Sequence, residues 1–278
     1  AEDGIRDVER SRGLGDVYKR QGYTNTTGTE NTYVGLSAGQ LNSSSSYNTA
    51  IGNQALQNNT ASYNTALGRT SLAINTSGAY NTAAGMHSLY NNTTASDNTA
   101  VGKGALQSNT TGASNVAVGC GALAANTTAA NNTAVGRCSL KVTTTGSENV
   151  AVGRRALFTN VSGDNNLAVG FSPIKVSLAD DNTAVGYTAL INNTTGAVNA
   201  CFGGYALKDN TTGASNTAVG ISSLENNTTG CQNTALGGQA MQANTTGSKN
   251  TASGYLALHQ NTTAANNKIT AANTTTTS

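Results

Sequence analysis

From Asn31 onward, apolar and polar residues follow neither a helical period nor plain alternation over long runs. They follow a phrase. Residues 98–114 read NTAVGKGALQSNTTGAS and residues 115–131 read NVAVGCGALAANTTAAN. Aligned on the leading Asn, units begin at 31, 48, 64, 81, 98, 115, 132, 149, 166, 182, 199, 216, 233 and 250, with a partial one at 267. Twelve of these fourteen complete units have seventeen residues, and those starting at Asn48 and Asn166 have sixteen. A period held this closely marks a stacked array rather than a globule.

With the positions of a unit numbered as slots 1 to 17, slot 1 is Asn and slot 5 is Gly in all fourteen. Slot 3 is Ala in twelve and slot 2 is Thr in ten. Slot 4 is Val, Ile, Leu or Phe except at Ala84 and Ser253. Slot 9 is Leu, Ile or Met except at Gly39, and slots 12 to 15 usually read NTTG. Gly at slot 5 and the NTTG cluster leave about six residues between breakers, whereas isolated helices need roughly twelve or more. Two short extended runs fit better, slots 2–4 and about slots 7–10, each bounded by turn chemistry. The expected fold is all-β: a parallel β-solenoid of about fourteen 17-residue coils, each strand lying over its equivalent in the next coil.

Stacking explains the repetition. Asn98, Asn115 and Asn132 would form an amide ladder, as in fibre-forming sheets. Gly102, Gly119 and Gly136 would repeat one backbone bend. Val101, Val118 and Val135 at slot 4, with Leu106, Leu123 and Leu140 at slot 9, supply the main apolar groups to be buried. So few apolar groups per coil leave the single chain short of core. The small residues at slots 3 and 8 would let another copy approach closely, which predicts a homo-oligomer.

Composition narrows the class. Only 10% of residues are charged and Pro173 is the sole proline, which does not fit the charge-rich or proline-rich profile of disordered chains. A formal charge of +2 gives no reason to expect nucleic acid. No run of eighteen apolar residues predicts a membrane-spanning helix. Residues 1–21 stand apart: they hold ten of the twenty-eight charged side chains and no repeat. Their end, DVYKRQ, can be encoded by the transposase end sequence used to prepare sequencing libraries. We read 1–21 as a non-native sequencing scar, 22–270 as the solenoid and 271–278 as a polar tail.

The phrase N-T-A-V-G-x-x-A-L resembles the head repeat of trimeric autotransporter adhesins (YadA-like heads), whose unit is shorter. It also resembles the NTAVGYxAL…NTTG arrays of bacterial surface proteins and phage tail fibres. The resemblance spans residues 22–270. It implies a trimer of left-handed β-rolls, an extracellular, cell-surface or virion location, and a binding or spacer role. The implied partners are a host surface glycan, lipopolysaccharide or a protein receptor, without cofactor and without membrane insertion. No stalk, anchor or chaperone domain occurs in the sequence, so cell surface and virion both stay open.

Candidate sites follow from slots. Arg69, Lys103, Arg137 and Arg154 share slot 6, with Arg155 beside the last. They read either as an anion-binding edge or as solvated charges that discourage sideways pairing. Tyr47, Tyr63 and Tyr80 share slot 17 and read as a sugar platform or as plain stacking. His87 and His259 are far apart and lack recurring acid–base or metal partners, so neither catalysis nor a metal site is expected. Cys120 and Cys138 fall in consecutive coils on adjacent slots that should aim apart; Cys201 replaces a slot-3 Ala, and Cys231 falls in the loop. The NTT triplets at Asn109, Asn193 and Asn244 match glycosylation sequons and read as unmodified turns. Two rival functions remain at this point. Thr columns at slots 2, 13 and 14 could match an ice lattice, although Val116, Val150, Leu167 and Ala200 interrupt the first. The rod could also carry an enzymatic or chaperone domain outside this sequence.

Overall fold

The computed structural model describes residues 20–270. The scar expected over 1–21 falls outside it except for Arg20 and Gln21, as does the tail expected over 271–278. The described chain is all-β. Fifteen three-residue strands, from Thr32–Val34 to Lys268–Thr270, form one parallel sheet in strict chain order. Register is slot on slot: Thr99 pairs with Val116, Ala100 with Ala117, and Val101 with Val118. The sixteen-residue units keep that register, Thr49 with Thr65 and Leu167 with Thr183. Their missing residue is therefore absorbed outside the strand. Fifteen rungs at ~4.8 Å make a rod roughly 70 Å long.

The second expected strand is not one. Slots 7–10 form turns, with positive φ at slot 7 and again at slot 9, where Leu106, Leu123 and Leu140 have φ of 50°, 49° and 47°. A non-glycine residue in this region costs roughly 1–2 kcal/mol, so something must outweigh it. Alternating hand turns successive peptides toward opposite neighbours. Gly104 N–H donates to Met86 one coil back at 3.0 Å, and Leu106 N–H donates to Ala122 one coil ahead at 3.0 Å. Each Leu side chain is at the same time placed inside the coil, fully buried. A further short pair, Thr159–Asn160 with Val176–Ser177, forms the only other sheet among the described residues.

Slot 5 demands glycine twice over. Gly119 has φ +134°, and a Cβ there would stand 2.6 Å from the Gly136 carbonyl oxygen of the next coil. Gly102 and Gly136 are held alike, against Gly119 and Gly153, so the expected glycine column is present.

The direction of the strand side chains corrects two expectations. The interior takes slots 1, 3, 8, 9 and 12, so the small residues at slots 3 and 8, such as Ala100 and Ala105, are buried core rather than an approach face. Val101, Val118 and Val135 at slot 4 point outward and keep 39%, 36% and 37% of their surface exposed. The cause lies at slot 1. Its Asn amide is needed inside, slot 3 shares that side, and slots 2 and 4 must face out. The lumen is narrow enough that only a small residue, Ala or Cys201, stands opposite the slot-9 aliphatic side chain. In the first coil, where slot 3 is Tyr33, slot 9 is Gly39, and a Cβ on Gly39 would run into the Tyr33 ring.

Candidate functional site

The interior is fully occupied, and its polar part is a frame rather than a site. The slot-1 amides form the expected amide-to-amide ladder in part: Asn149 Nδ2 donates to Asn132 Oδ1 and Asn216 Nδ2 to Asn199 Oδ1, each at 3.1 Å, whereas Asn98, Asn115 and Asn132 are joined through the backbone instead. Asn115 N–H donates to Asn98 Oδ1 at 2.9 Å, and Asn98 Nδ2 reaches across the coil to the Gly112 carbonyl at 3.0 Å. The slot-1 amide thus braces its own coil and anchors the next. The slot-15 carbonyl of the same coil takes this donor alone at Asn98 and shares it with the ladder at Asn149, whose Nδ2 donates to both Gly163 O and Asn132 Oδ1. A second amide ladder runs at slot 12, where Asn109 Nδ2 donates to Asn92 Oδ1 at 2.9 Å and Asn126 Nδ2 to Asn109 Oδ1 at 2.7 Å. Asn109, Asn193 and Asn244 are therefore buried ladder members, and their amides are not presented as glycan acceptors.

Outside, the strand sheet presents Thr at slot 2 and aliphatic residues at slot 4. The slot-4 column runs Val34, Ile51, Leu67, Ala84, Val101, Val118, Val135 and Val152 in consecutive coils, and most of it is exposed. One flank of this face, slots 16 and 17, carries Glu30, Asp97, Glu148, Asp164, Asp180 and Asp181. It also carries Tyr47, Tyr63 and Tyr80, which stack in order with centroids 4.9 and 5.0 Å apart and planes within 4° and 7°. The rings cover one another's faces, so the column offers edges and hydroxyls instead of flat platforms. Beside Tyr47, the charge of Glu30 holds the phenol above its ordinary pKa.

The other flank, slots 6 to 10, carries the cations. Arg69, Lys103, Arg137 and Arg154 lie in one column, with Met86 and Cys120 interrupting it. Lys141 and Phe158 at slot 10 were missed from sequence. Lys141 lies 5.8 Å and Arg155 5.5 Å from the Phe158 ring centre, while Arg154 lies 5.4 Å from that of Phe171. Beyond Phe171 the edge turns aromatic, with Tyr187 stacked 5.4 Å away and Tyr205 edge-on at 5.4 Å from Tyr187. Applying the slot rule to slots 7 and 10 as well as 6 would have found this cluster.

Within this flank lies an open groove of about 370 Å³ lined by Met86, His87, Lys103, Gly104, Gln107, Cys120, Gly121, Ala124 and Lys141. Gly104 and Gly121, successive slot-7 residues, form its floor. Among the described residues, none of Lys103, Arg137, Lys141, Arg154 or Arg155 has a carboxylate within 4.0 Å, whereas Lys208 has Glu225 at 3.5 Å and Asp209 at 3.9 Å. Glu225 is itself held. Burial alone would raise its pKa, but hydrogen bonds from Gln242 and Ser222 and the Lys208 charge bring it below the usual value.

Cys120 and Cys138 are both free thiols, as are Cys201 and Cys231. His259 Nε2 lies 2.9 Å from Gln242 Oε1, and the His87 ring leans on Tyr90 at 5.4 Å. No three His, Cys, Asp or Glu side chains gather as a metal-binding group, and no helix is long and apolar enough to cross a membrane, among the described residues. Compared with family models, curated proteins and solved structures, the chain matches none.

Proposed function

We propose that this chain is a non-enzymatic rod in a homotrimeric fibre at an extracellular surface, on a cell or a virion, and that it attaches by many weak contacts. The observation that supports the reading is the exposed slot-4 column. Monomeric proteins rarely leave contiguous apolar patches beyond a few hundred Å², and this one follows the rod from coil to coil. Burying each aliphatic side chain against a copy stabilises the assembly by roughly 1.5–3 kcal/mol before ordering costs. The slot-4 column lies on one side of the described coils, and rotation about a shared axis lets three such columns meet and closes the assembly. The rods then present equivalent edges outward, where contacts reinforce one another through effective concentration.

Sedimentation equilibrium tests this. The native protein is expected near three times the 27.9 kDa chain mass, and the triple variant V101K/V118K/V135K near one chain mass with its circular dichroism unchanged. A native monomer at micromolar concentration refutes the assembly.

The second reading, ice binding, is favoured by the outward-facing Thr column at slot 2 beside the slot-4 column. Against it, slot-13 hydroxyls already serve the rod: Thr110 Oγ1 donates to the Thr127 carbonyl at 3.0 Å, and Thr93 and Thr211 do likewise. Thermal hysteresis from the purified protein would favour this second reading.

A further inference from the structure

We infer that the groove floored by Gly104 and Gly121 binds a linear acidic polysaccharide, laid along the rod between Lys103 and Arg155. This deepens the attachment reading and rests on it for its biological setting. The mass measurement above tests assembly and the affinity measurement below tests the groove, so either can fail alone.

The two glycines are the first reason. At slot 7 other coils carry His87, Cys138, Arg155 and Tyr205 at φ between 59° and 61°. The fold therefore accepts ordinary residues there. Packing does not demand glycine either. A Cβ at Gly104 would meet only Gln107 Oε1, at 3.1 Å, and one at Gly121 only Cys138 Sγ, at 3.9 Å. Two glycines in succession, with Ala124 beside them, remove side chains from one stretch of the edge and leave a trough. Slot 5 shows the contrast, because there the next coil's backbone forbids anything else.

Charge is the second reason. Lys103, Arg137, Lys141, Arg154 and Arg155 gather in coils 98 to 149 without a carboxylate at slots 6 to 11 of those coils. The acidic flank lies across the sheet, so a polyanion is drawn to one edge and repelled from the other. Phe158, between Lys141 and Arg155, and Phe171, beneath Arg154, add apolar faces next to the cations. Sugar rings carry both apolar C–H faces and acidic groups, which suits this pairing.

Spacing favours a sugar chain over nucleic acid. Successive slot-6 cations stand one or two coils apart, about 5–10 Å, and form a single file. Duplex DNA carries a charge per ~1.7 Å and would demand a denser, broader basic surface.

The probes are a size-defined heparin oligosaccharide, neutral dextran and a DNA duplex, each titrated into the native protein at two salt concentrations. Heparin is expected to bind with salt-sensitive affinity and dextran not at all. K103A/K141A is expected to lose at least tenfold in affinity. G104Q/G121Q, which fills the trough without changing charge, is expected to lose a similar factor. Gln239 already occupies slot 7 at φ 56°, so the fold accommodates that change, and an unchanged circular dichroism spectrum is the check. K208A, whose cation is already paired, is expected to bind as the native protein does.

No heparin binding, equal loss in K208A, or DNA binding tighter than heparin would overturn the inference. So would native affinity in G104Q/G121Q. A neighbouring copy's acidic flank is the competing occupant. If K103A/K141A lowers the sedimenting mass yet leaves heparin affinity intact, that flank fills the edge and the inference fails.

Discussion

Tyr33 and Gly39 occupy opposite sides of the same coil interior, and the ring of one stands where a side chain on the other would go. Every later complete coil reverses the sizes, with Ala or Cys at slot 3 and Leu, Ile or Met at slot 9. The pair is a size exchange across a fixed lumen. Gly39→Leu alone is expected to overpack and destabilise by about 1–3 kcal/mol. Tyr33→Ala alone leaves a void costing about 2–3 kcal/mol, toward the low end because the coil is terminal. The double change recreates the common coil, so a double-mutant cycle followed by urea unfolding should show favourable coupling of about 2 kcal/mol. Additive losses would mean that the two slots do not oppose each other.

The slot-12 ladder has a visible break. Thr143 follows Asn126 in the column, and both Asn126 Oδ1 and Thr143 Oγ1 are buried without a hydrogen-bond partner. Asn160 Oδ1 is unpartnered as well. Thr143→Asn restores a donor to Asn126 Oδ1 and gives Asn160 Nδ2 an acceptor in the preceding coil, while Asn160 Oδ1, whose donor would come from the following coil, stays unpartnered. Each restored bond is worth roughly 0.5–1.5 kcal/mol, so thermal unfolding should move upward; a lower Tm would show that the break is adapted to Thr.

Gly119→Ala should be among the most damaging single-atom additions, since it meets both an excluded φ and the Gly136 carbonyl. We expect a loss above about 2 kcal/mol. Because each coil touches only its neighbours, limited proteolysis should cut near residues 115–136 first. Uniform cutting along the rod would argue against a nearest-neighbour array.

The four thiols should separate by burial. Cys120 is exposed, Cys138 and Cys231 are half-buried, and Cys201 is buried with its thiol pKa pushed well up by burial. Alkylation at neutral pH should reach Cys120 first and Cys201 only on unfolding. Raising the pH to about 9 speeds thiolate reactions at ordinary sites but should leave Cys201 protected in the folded protein. Labelling of Cys201 at the rate of Cys120 would place slot 3 outside.

Much of this fold could be read from the repeat. The period fixes the stacking, and the invariant Gly119 column and the Asn115 column require like to sit over like. The parity of the strand was not legible. Ala100 and Val101 alternate, and by size alone Val is the natural core residue. What reverses them is the Asn98 amide and a lumen already filled by Leu106, both properties of the closed coil. The turn at slots 7–10 was hidden for a similar reason. Leu at positive φ is unfavourable locally and is imposed by hydrogen bonds to coils above and below. At the candidate site, the slot-6 cations were legible one by one. The groove was not, because it depends on Gly104, Gly121 and Ala124, residues that draw notice only once their neighbours in adjacent coils are known.

The most direct test of the assembly is mass per unit length from small-angle X-ray scattering on the native protein. Three in-register chains give a rod about 70 Å long carrying three times 27.9 kDa, with the slot-4 column enclosed. A rod of the same length with one chain's mass would contradict the account, and so would one twice as long with the mass of two chains joined end to end.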